Sequence, residues 1–199
     1  MGRRALHSAE ELKQMILSSS REILERDGIN GLSARAVAKE IGYSPGTLYN
    51  VFRNLDDLIL TIERTLLQEG LAALRAVPRH NRPGDQLRAL AECYIAFALR
   101  NRRLWNVLFQ HTPKEDIPDI HAARGTLRDM RNEFGTAVTA LTAGRDDAET
   151  ERLAACVWFS VHGLSAIAVS EKEIGLSPAD TASYVSLMTD AIIMMAERA

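Results

Sequence analysis

The 199-residue sequence predicts an all-α protein of about nine helices, and three observations lead to this fold class. Apolar residues recur at helical spacing along most of the chain. No segment of useful length alternates apolar and polar residues with a period of two, and clusters of β-branched residues are missing. Ser, Asn, Pro and Gly residues stand where the periodic segments begin and end, as they do at helix boundaries.

The first two predicted helices have clear start and stop signals. One covers residues 9–27, and Ser8 with Glu11 three residues later forms a capping box at its start. The other covers residues 33–41, and Gly42 ends it because glycine readily adopts the left-handed conformation of a helix terminus.

The next two helices differ in length. A short helix opens at Ser44 and Pro45, where proline fits because the first helical position does not need its N–H group. A long helix follows the capping residue Asn54 and continues to about Val77. Acidic residues in its first turn suit the positive end of the helix dipole.

The polar connection between Pro78 and Pro83 is the best candidate for a domain boundary. It separates a predicted unit of residues 9–67 from a second unit of residues 83–198. The second unit contains five more predicted helices: residues 86–100, residues 103–110, a helix through 127–141, one that starts at Asp146 and one that starts at Ser177.

The composition is typical of a folded globular protein, with 46% hydrophobic and 25% charged residues. It excludes a disordered chain and a collagen-like repeat. The formal net charge of −2 predicts no general attraction to nucleic acid. The charge is uneven, however, because residues 1–55 hold eight Lys and Arg against six Asp and Glu, and the remainder is acidic.

The sequence contains no signature of the common enzyme, metal or cofactor classes. There is no G-x-S-x-G motif, P-loop or dinucleotide fingerprint. The five His residues lack ligand spacing, and Cys93 and Cys156 form no C-x-x-C pair. We therefore expect no catalytic site, metal or cofactor, and two free cysteines in a reducing, cytoplasmic environment.

Residues 153–170 contain no acidic side chain, Lys or Arg and approach the length of a membrane span. Polar and small residues, among them Ser160, His162 and Gly163, interrupt the segment. A helix buried within protein is the preferred interpretation, with no membrane partner.

Residues 31–60 have the dimensions of a helix-turn-helix, with two short helices separated by residues 42–44. Leu48 and Phe52 of the second helix are spaced to face inward, and its outward residues are hydroxyl, amide and guanidinium side chains. Such groups can hydrogen-bond phosphates and base edges in a major groove. The alternative is an ordinary helical corner within an all-α enzyme or a helical interaction module.

Residues 32–52 resemble the DNA-binding domain of the TetR family of bacterial transcriptional regulators. The matching features are a Ser-x-Arg helix start at Ser33, a Gly-x-Ser turn at Gly42, Gly-Thr-Leu-Tyr from Gly46, and Phe52 before an acidic helix opening. The resemblance extends over residues 9–67.

The resemblance implies that Ser33, Arg35 and Tyr49 contact phosphate and that the residues from Ser44 on open the recognition helix. The complete implied DNA-binding set is Ser33, Arg35, Ser44, Pro45, Gly46, Thr47, Tyr49, Asn50 and Arg53. Leu55 stands where family members often have Lys, so one usual phosphate contact is missing.

Residues 83–198 are similar to a C-terminal subgroup of that family, which Trp158 and the pair His162-Gly163 identify. The similarity implies a ligand-binding and dimerisation domain. We expect an apolar pocket for a small hydrophobic effector, with Tyr94, His111 and His162 as the nearby polar groups. Its predicted lining is Tyr94, Phe97, Trp105, Phe109, Met130, Phe134, Trp158 and His162.

The last two helices are apolar on almost every face, over residues 153–168 and 184–196. This pattern favours a two-fold, four-helix dimer interface over a buried core pair. A dimer would present two recognition helices to successive major grooves of a near-palindromic, double-stranded operator. The sequence thus predicts a ligand-responsive repressor; a regulator that acts without a small ligand is an alternative.

Overall fold

The structure is a computed structural model that describes residues 7–114, 118–170 and 177–197. These residues form eight α-helices and two 3₁₀ segments, with no β-strand among them. The α-helices are α1 (Ala9–Asp27), α2 (Ala34–Ile41), α3 (Leu55–Arg75), α4 (Pro83–Arg100), α5 (Arg102–Gln110), α6 (Pro118–Leu141), α7 (Asp147–Val169) and α8 (Pro178–Glu197). The all-α prediction of about nine helices is confirmed when the 3₁₀ segment Pro45–Asn50 is counted.

The predicted capping signals are made as hydrogen bonds. Ser8 and Glu11 form both halves of the capping box at α1. Ser33 Oγ accepts from the Ala36 N–H at 3.1 Å at the start of α2, and Asn54 caps α3. The sequence therefore defines these helix starts through local interactions alone.

Gly42 makes the turn of the helix-turn-helix. Its backbone is left-handed, with φ 73° and ψ 28°, and the N–H of Tyr43 donates to Ala38 O at 2.9 Å. This conformation ends α2 and redirects the chain within two residues. A residue with a Cβ would be strained there.

The recognition segment after this turn is 3₁₀ rather than the α-helix that the sequence analysis expects. It covers Pro45–Asn50, which includes a proline without an N–H and the poor helix former Gly46. A segment this short forms few α-helical hydrogen bonds, so the tighter geometry is accessible. Leu48 and Phe52 are buried as predicted and anchor the segment on the core.

Helix α3 joins the two predicted units without interruption. It packs on α1, α4, α5 and α6. Buried side chains of residues 9–67 and 83–198 belong to one continuous hydrophobic core. A displacement of α3 would therefore move core residues of both predicted units.

Helices α7 and α8 pack together and against α4 and α6. Among the described helices, α7 alone is long and apolar enough to cross a membrane, and 39% of that stretch is buried inside the molecule. Core helices of soluble proteins share this length and composition. Several other apolar side chains of α7 and α8 are exposed, including Phe159, Leu187 and Met195.

Candidate nucleic-acid interface and aromatic cluster

The nine predicted DNA-binding residues lie at the surface of the helix-turn-helix, and we call them the reading surface. Thr47 is half-buried, and the other eight residues are exposed, including Tyr49 with 56% of its surface accessible. The reading surface comprises Ser33, Arg35, Ser44, Pro45, Gly46, Thr47, Tyr49, Asn50 and Arg53.

Local hydrogen bonds fix the backbone of the reading surface. The hydroxyl groups of Ser44 and Thr47 are 3.0 Å apart, and this contact closes the first turn of the recognition segment. The N–H of Arg53 donates to Asp57 Oδ2 at 2.9 Å, which holds the exit of the segment against α3. The side chains are thus presented from a rigid frame, as a recognition surface requires.

In the described part of the chain, the arginines of the reading surface are unpaired, whereas Arg21 and Arg26 of α1 are paired. The guanidinium groups of Arg35 and Arg53 have no ion pair within residues 7–114, 118–170 and 177–197. In contrast, Arg21 binds Glu69 at 2.7 Å, and Arg26 binds Glu40 at 2.8 Å.

Gly46 has no packing reason to be glycine. A Cβ built on it would meet nothing closer than Ser44 Oγ at 3.9 Å, an ordinary contact, and its φ is not in the left-handed region. A missing side chain at this position instead leaves room on the outer side for another molecule's backbone. Leu55, in contrast, is half-buried and packs on the core.

Helix α1 supports α2 through Glu40. This carboxylate accepts from Arg26 at 2.8 Å and from Ser19 Oγ at 3.0 Å, and both hydrogen bonds hold its pKa below the usual range. At the turn, His7 Nδ1 and the Tyr43 hydroxyl are 2.6 Å apart. These contacts hold the helix-turn-helix on α1.

The eight predicted pocket residues lie together in the structure, and we call them the aromatic cluster. Tyr94 lies at its centre, and its ring centroid is 5.4 Å from that of Trp105, 5.9 Å from Phe134 and 5.7 Å from Trp158. Six of the eight side chains are buried, while His162 is half-buried and Phe109 is 40% exposed. The cluster therefore reaches the surface at these last two residues.

A hydrogen bond joins Tyr94 to His162 at the edge of the cluster, with 2.6 Å between the hydroxyl and Nδ1. Burial raises the pKa of Tyr94 and lowers that of His162, so both are neutral near pH 7. A neutral imidazole has one N–H and one acceptor nitrogen, so the tautomer in which Tyr94 donates to Nδ1 leaves Nε2–H as the donor of the ring. His162 also stacks on Trp158, with the ring centroids 5.1 Å apart.

Gly70 lets the backbone of α3 approach the aromatic cluster. A Cβ at this position would lie 3.1 Å from both Met130 Cε and Phe97 Cε1, closer than side chains usually pack. The cluster is therefore in direct contact with the helix whose first turn follows the reading surface.

A surface cleft of about 450 Å³ lies one turn farther along α4 and α6 from the cluster. Its floor is apolar and includes Leu74 and Leu90, while Arg75, Arg79 and Glu133 line its rim. The sequence pattern does not predict this cleft, because its lining comes from three helices and a connection that are separate in the chain.

Helix α5 makes three connections that the sequence analysis did not find. Arg103 donates to the backbone carbonyls of Glu25 and Arg26 at the end of α1. Arg102 donates to the Ser170 carbonyl at the end of α7 at 3.0 Å. The ring of His111, directly after α5, faces α3. No local sequence signal identifies these partners, since each pair is far apart in the chain.

Among the described residues, no group of three or more His, Cys, Asp and Glu side chains is placed to hold a metal ion. The two cysteines in this part of the chain are free thiols.

A helix-turn-helix with an exposed polar surface, joined to a helical unit with an aromatic cluster, defines a DNA-binding transcriptional regulator. Residues 16–62 match the family model described as "Bacterial regulatory proteins, tetR family". Residues 87–192, more than half of the chain, match the model described as "Tetracyclin repressor-like, C-terminal domain". The chain belongs to the TetR family, and the resemblance inferred from its sequence is confirmed.

Individual relatives agree with this assignment. The HTH-type transcriptional regulator YobS of Bacillus subtilis (strain 168) is 29% identical over 140 residues, which cover 67% of this chain and 71% of YobS. A solved structure of a protein from Rhodococcus sp. RHA1 has a TM-score of 0.73 and 23% identity and covers 98% of each chain. A transcriptional regulator from Rhodococcus sp. Rha1 has a TM-score of 0.67 and 20% identity, with 92% of this chain and 96% of that one covered. The structural similarities show a shared fold.

Proposed function

We propose that this TetR-family regulator is a dimeric, cytoplasmic repressor that binds a near-palindromic operator and releases it when a small hydrophobic molecule binds. Residues 9–67 contact the operator, and residues 83–198 hold the effector and the dimer interface. The exposed, unpaired arginines of the reading surface, in contrast to the paired Arg21 and Arg26 of α1, are the observation that carries DNA binding. Arg35 and Arg53 are free to neutralise phosphates without breaking an internal ion pair.

The remaining reading-surface residues suit a close approach to a duplex. The exposed Tyr49 hydroxyl can donate to a phosphate, and the amide of Asn50 can read a base edge. Gly46 leaves the backbone of the recognition segment open to contact. Phosphate contacts set orientation in this arrangement, and the few base-edge contacts supply specificity.

The dimer forms through the exposed apolar faces of α7 and α8. Phe159 is 67% exposed and Leu187 is 66% exposed, although both lie on predominantly apolar helices. Large apolar side chains exposed on two packed helices are typical of a protein interface. A Cβ at Gly163 would meet nothing within 4 Å, so a partner helix can approach closely there.

The effector binds at the aromatic cluster, on the side where Phe109 and His162 bring the cluster to the surface. The Nε2–H of neutral His162 calls for a hydrogen-bond acceptor on an otherwise apolar or aromatic molecule. The effector acts by differential affinity for two arrangements of the chain. The bound effector displaces Phe97 and Met130. These side chains contact α3 at Gly70, so their movement shifts α3.

Selection of bound DNA from a random pool tests the DNA-binding proposal. We expect a recovered palindrome whose half-sites are roughly 34–36 Å apart or a multiple of it. Recovery of no enriched sequence by the folded wild-type protein would contradict the proposal. Arg26→Ala is a matched control for Arg35→Ala, because Arg26 lies behind the reading surface and is already paired.

A thermal-shift screen followed by DNA-release measurements tests the effector proposal. Apolar and aromatic compounds with one acceptor group should stabilise the protein and weaken operator binding. Compounds that stabilise the protein without changing operator affinity would contradict the coupling between the cluster and the reading surface.

A further inference from the structure

The ring of His111 lies between two carboxylates of α3. Its Nδ1 is 2.9 Å from Glu63 Oε1, and its Nε2 is 3.3 Å from Asp56 Oδ1. The His111 side chain is only 5% exposed, and that of Glu63 is 10% exposed. The backbone N–H of Lys114 completes the group by donating to Asp56 Oδ2 at 3.1 Å.

This geometry matches an imidazolium ion. A neutral imidazole has one N–H donor, so one of the two carboxylates would face a ring lone pair. A protonated ring donates to Glu63 and Asp56 at the same time. The two carboxylates bind opposite nitrogens of one ring, so these three side chains do not converge on a common metal position.

The surrounding charges favour the same state. Burial alone would lower the pKa of His111, but the hydrogen bonds and charges of Glu63 and Asp56 outweigh it, and the pKa is raised. The Lys114 N–H holds the pKa of Asp56 below its usual range, while burial raises the pKa of Glu63. The full ion pair exists between deprotonation of Glu63 on the acid side and deprotonation of His111 on the alkaline side.

The His111 contacts lie directly behind the reading surface. Asp56 is the second residue of α3, and the next residue, Asp57, holds the Arg53 N–H. At the other end of α5, Arg103 holds the carbonyls that end α1. The two ends of α5 are thus hydrogen-bonded to the DNA-binding unit, and the hydrogen bonds at His111 depend on protonation of its ring.

We propose that His111 is a proton-dependent clamp that fixes the DNA-binding unit against the core, so that operator affinity falls when His111 loses its proton. This inference rests on the proposed operator binding. A dimer must place both reading surfaces on the duplex together, and loosening either one increases the conformational entropy lost on binding.

The clamp itself is tested without DNA by NMR titration of the full-length wild-type protein. The Lys114 amide resonance reports the hydrogen bond to Asp56, and we expect it to shift with the same midpoint as the His111 ring. In Glu63→Gln the midpoint should move to lower pH, because one of the carboxylates that favour the imidazolium is gone. A Lys114 amide that does not follow His111, or an unchanged midpoint in Glu63→Gln, would overturn the clamp.

The consequence for DNA is tested by operator affinity between about pH 6 and about pH 9 at constant salt. If the pKa of His111 is about one unit higher in the complex, wild-type affinity falls about tenfold over this range. His111→Gln should bind weakly at every pH and lack this component. His80→Gln is the matched control, because His80 is exposed and its ring has no carboxylate partner among the described residues.

Parallel pH profiles for wild type and His111→Gln would overturn the proposal, as would tight, pH-independent binding by the variant. Circular dichroism confirms that each variant is folded before its affinity is interpreted. A wild-type protein that binds no selected operator even at acid pH would contradict the proposed function instead, while the NMR result would still decide whether the clamp exists.

Discussion

The reading surface and the aromatic cluster are built in opposite ways. Reading-surface side chains such as Arg35 and Tyr49 are exposed and have no internal partner among the described residues. Cluster side chains such as Tyr94 and Trp105 are buried and bind other side chains of the same molecule. A substitution in the first region should therefore change binding, and one in the second should change stability.

The largest expected effect concerns the exposed apolar side chains of α7 and α8, which lie outside both regions. Gly163→Glu should convert the proposed dimer into a folded monomer, because a carboxylate in the proposed α7 interface would be buried without a partner, at a cost of about 3–5 kcal/mol. The side chain has open space within one chain, so the monomer itself accommodates it. Sedimentation equilibrium measures the outcome.

Gly135→Glu is the control for this variant. Gly135 is also helical and also has nothing within 4 Å of a Cβ, but it lies on α6. It should leave the dimer intact. A dimeric, folded Gly163→Glu protein would place the interface elsewhere.

The same substitution, Tyr→Phe, distinguishes the two regions directly. Tyr94→Phe leaves His162 Nδ1 without its hydrogen-bond partner and should lower the free energy of unfolding by about 1–3 kcal/mol, with little change in operator affinity below the melting transition. Tyr49→Phe should leave stability unchanged and weaken operator binding by about 1 kcal/mol, because only a contact to phosphate is lost. Urea unfolding and fluorescence anisotropy measure both quantities, and equal effects of the two substitutions would remove the distinction.

Arg35→Ala isolates the electrostatic part of binding. Loss of one phosphate contact should reduce the slope of log affinity against log salt by about 0.9. Arg26→Ala should leave this slope unchanged, since Arg26 already pairs with Glu40 and Asp27. An identical slope in wild type and Arg35→Ala would show that Arg35 does not contact the DNA backbone.

The smallest effect is expected at the start of α3. Leu55→Lys should strengthen binding to any DNA at low salt, because a lysine there can reach a phosphate. Leu55 is half-buried, so Leu55→Gln is needed to separate the added charge from lost packing. No difference between these two variants would show that α3 does not approach the duplex.

The sequence predicted most of the helix boundaries because their signals are local. Ser8, Ser33 and Asn54 cap helices through residues three positions away, and Gly42 ends α2 through its own backbone. The 3₁₀ geometry of Pro45–Asn50 was missed, because helical periodicity in so short a segment does not distinguish the two helix types.

The aromatic cluster was predictable as a set only through the resemblance to the TetR family, because the periodicity of each helix indicates burial of its own aromatic residues and not their meeting in one place. Its hydrogen bonds were less accessible, although Tyr94 and His162 were both expected near the pocket. The partners of Arg102, Arg103 and His111 could not be predicted, because each bond depends on how separate helices cross. A long-range contact of this kind has no counterpart in a periodic pattern.

The long-range contacts of Arg103 and His111 limit how chimeric regulators can be built. A fusion made between residues 77 and 83 looks natural, because this connection separates the two units along the chain. It would pair Arg103 and His111 of one parent with the α1 terminus and the Asp56 and Glu63 positions of another. A hybrid whose α3 lacks acidic residues at these two positions would lose the proposed clamp and should therefore bind its operator weakly.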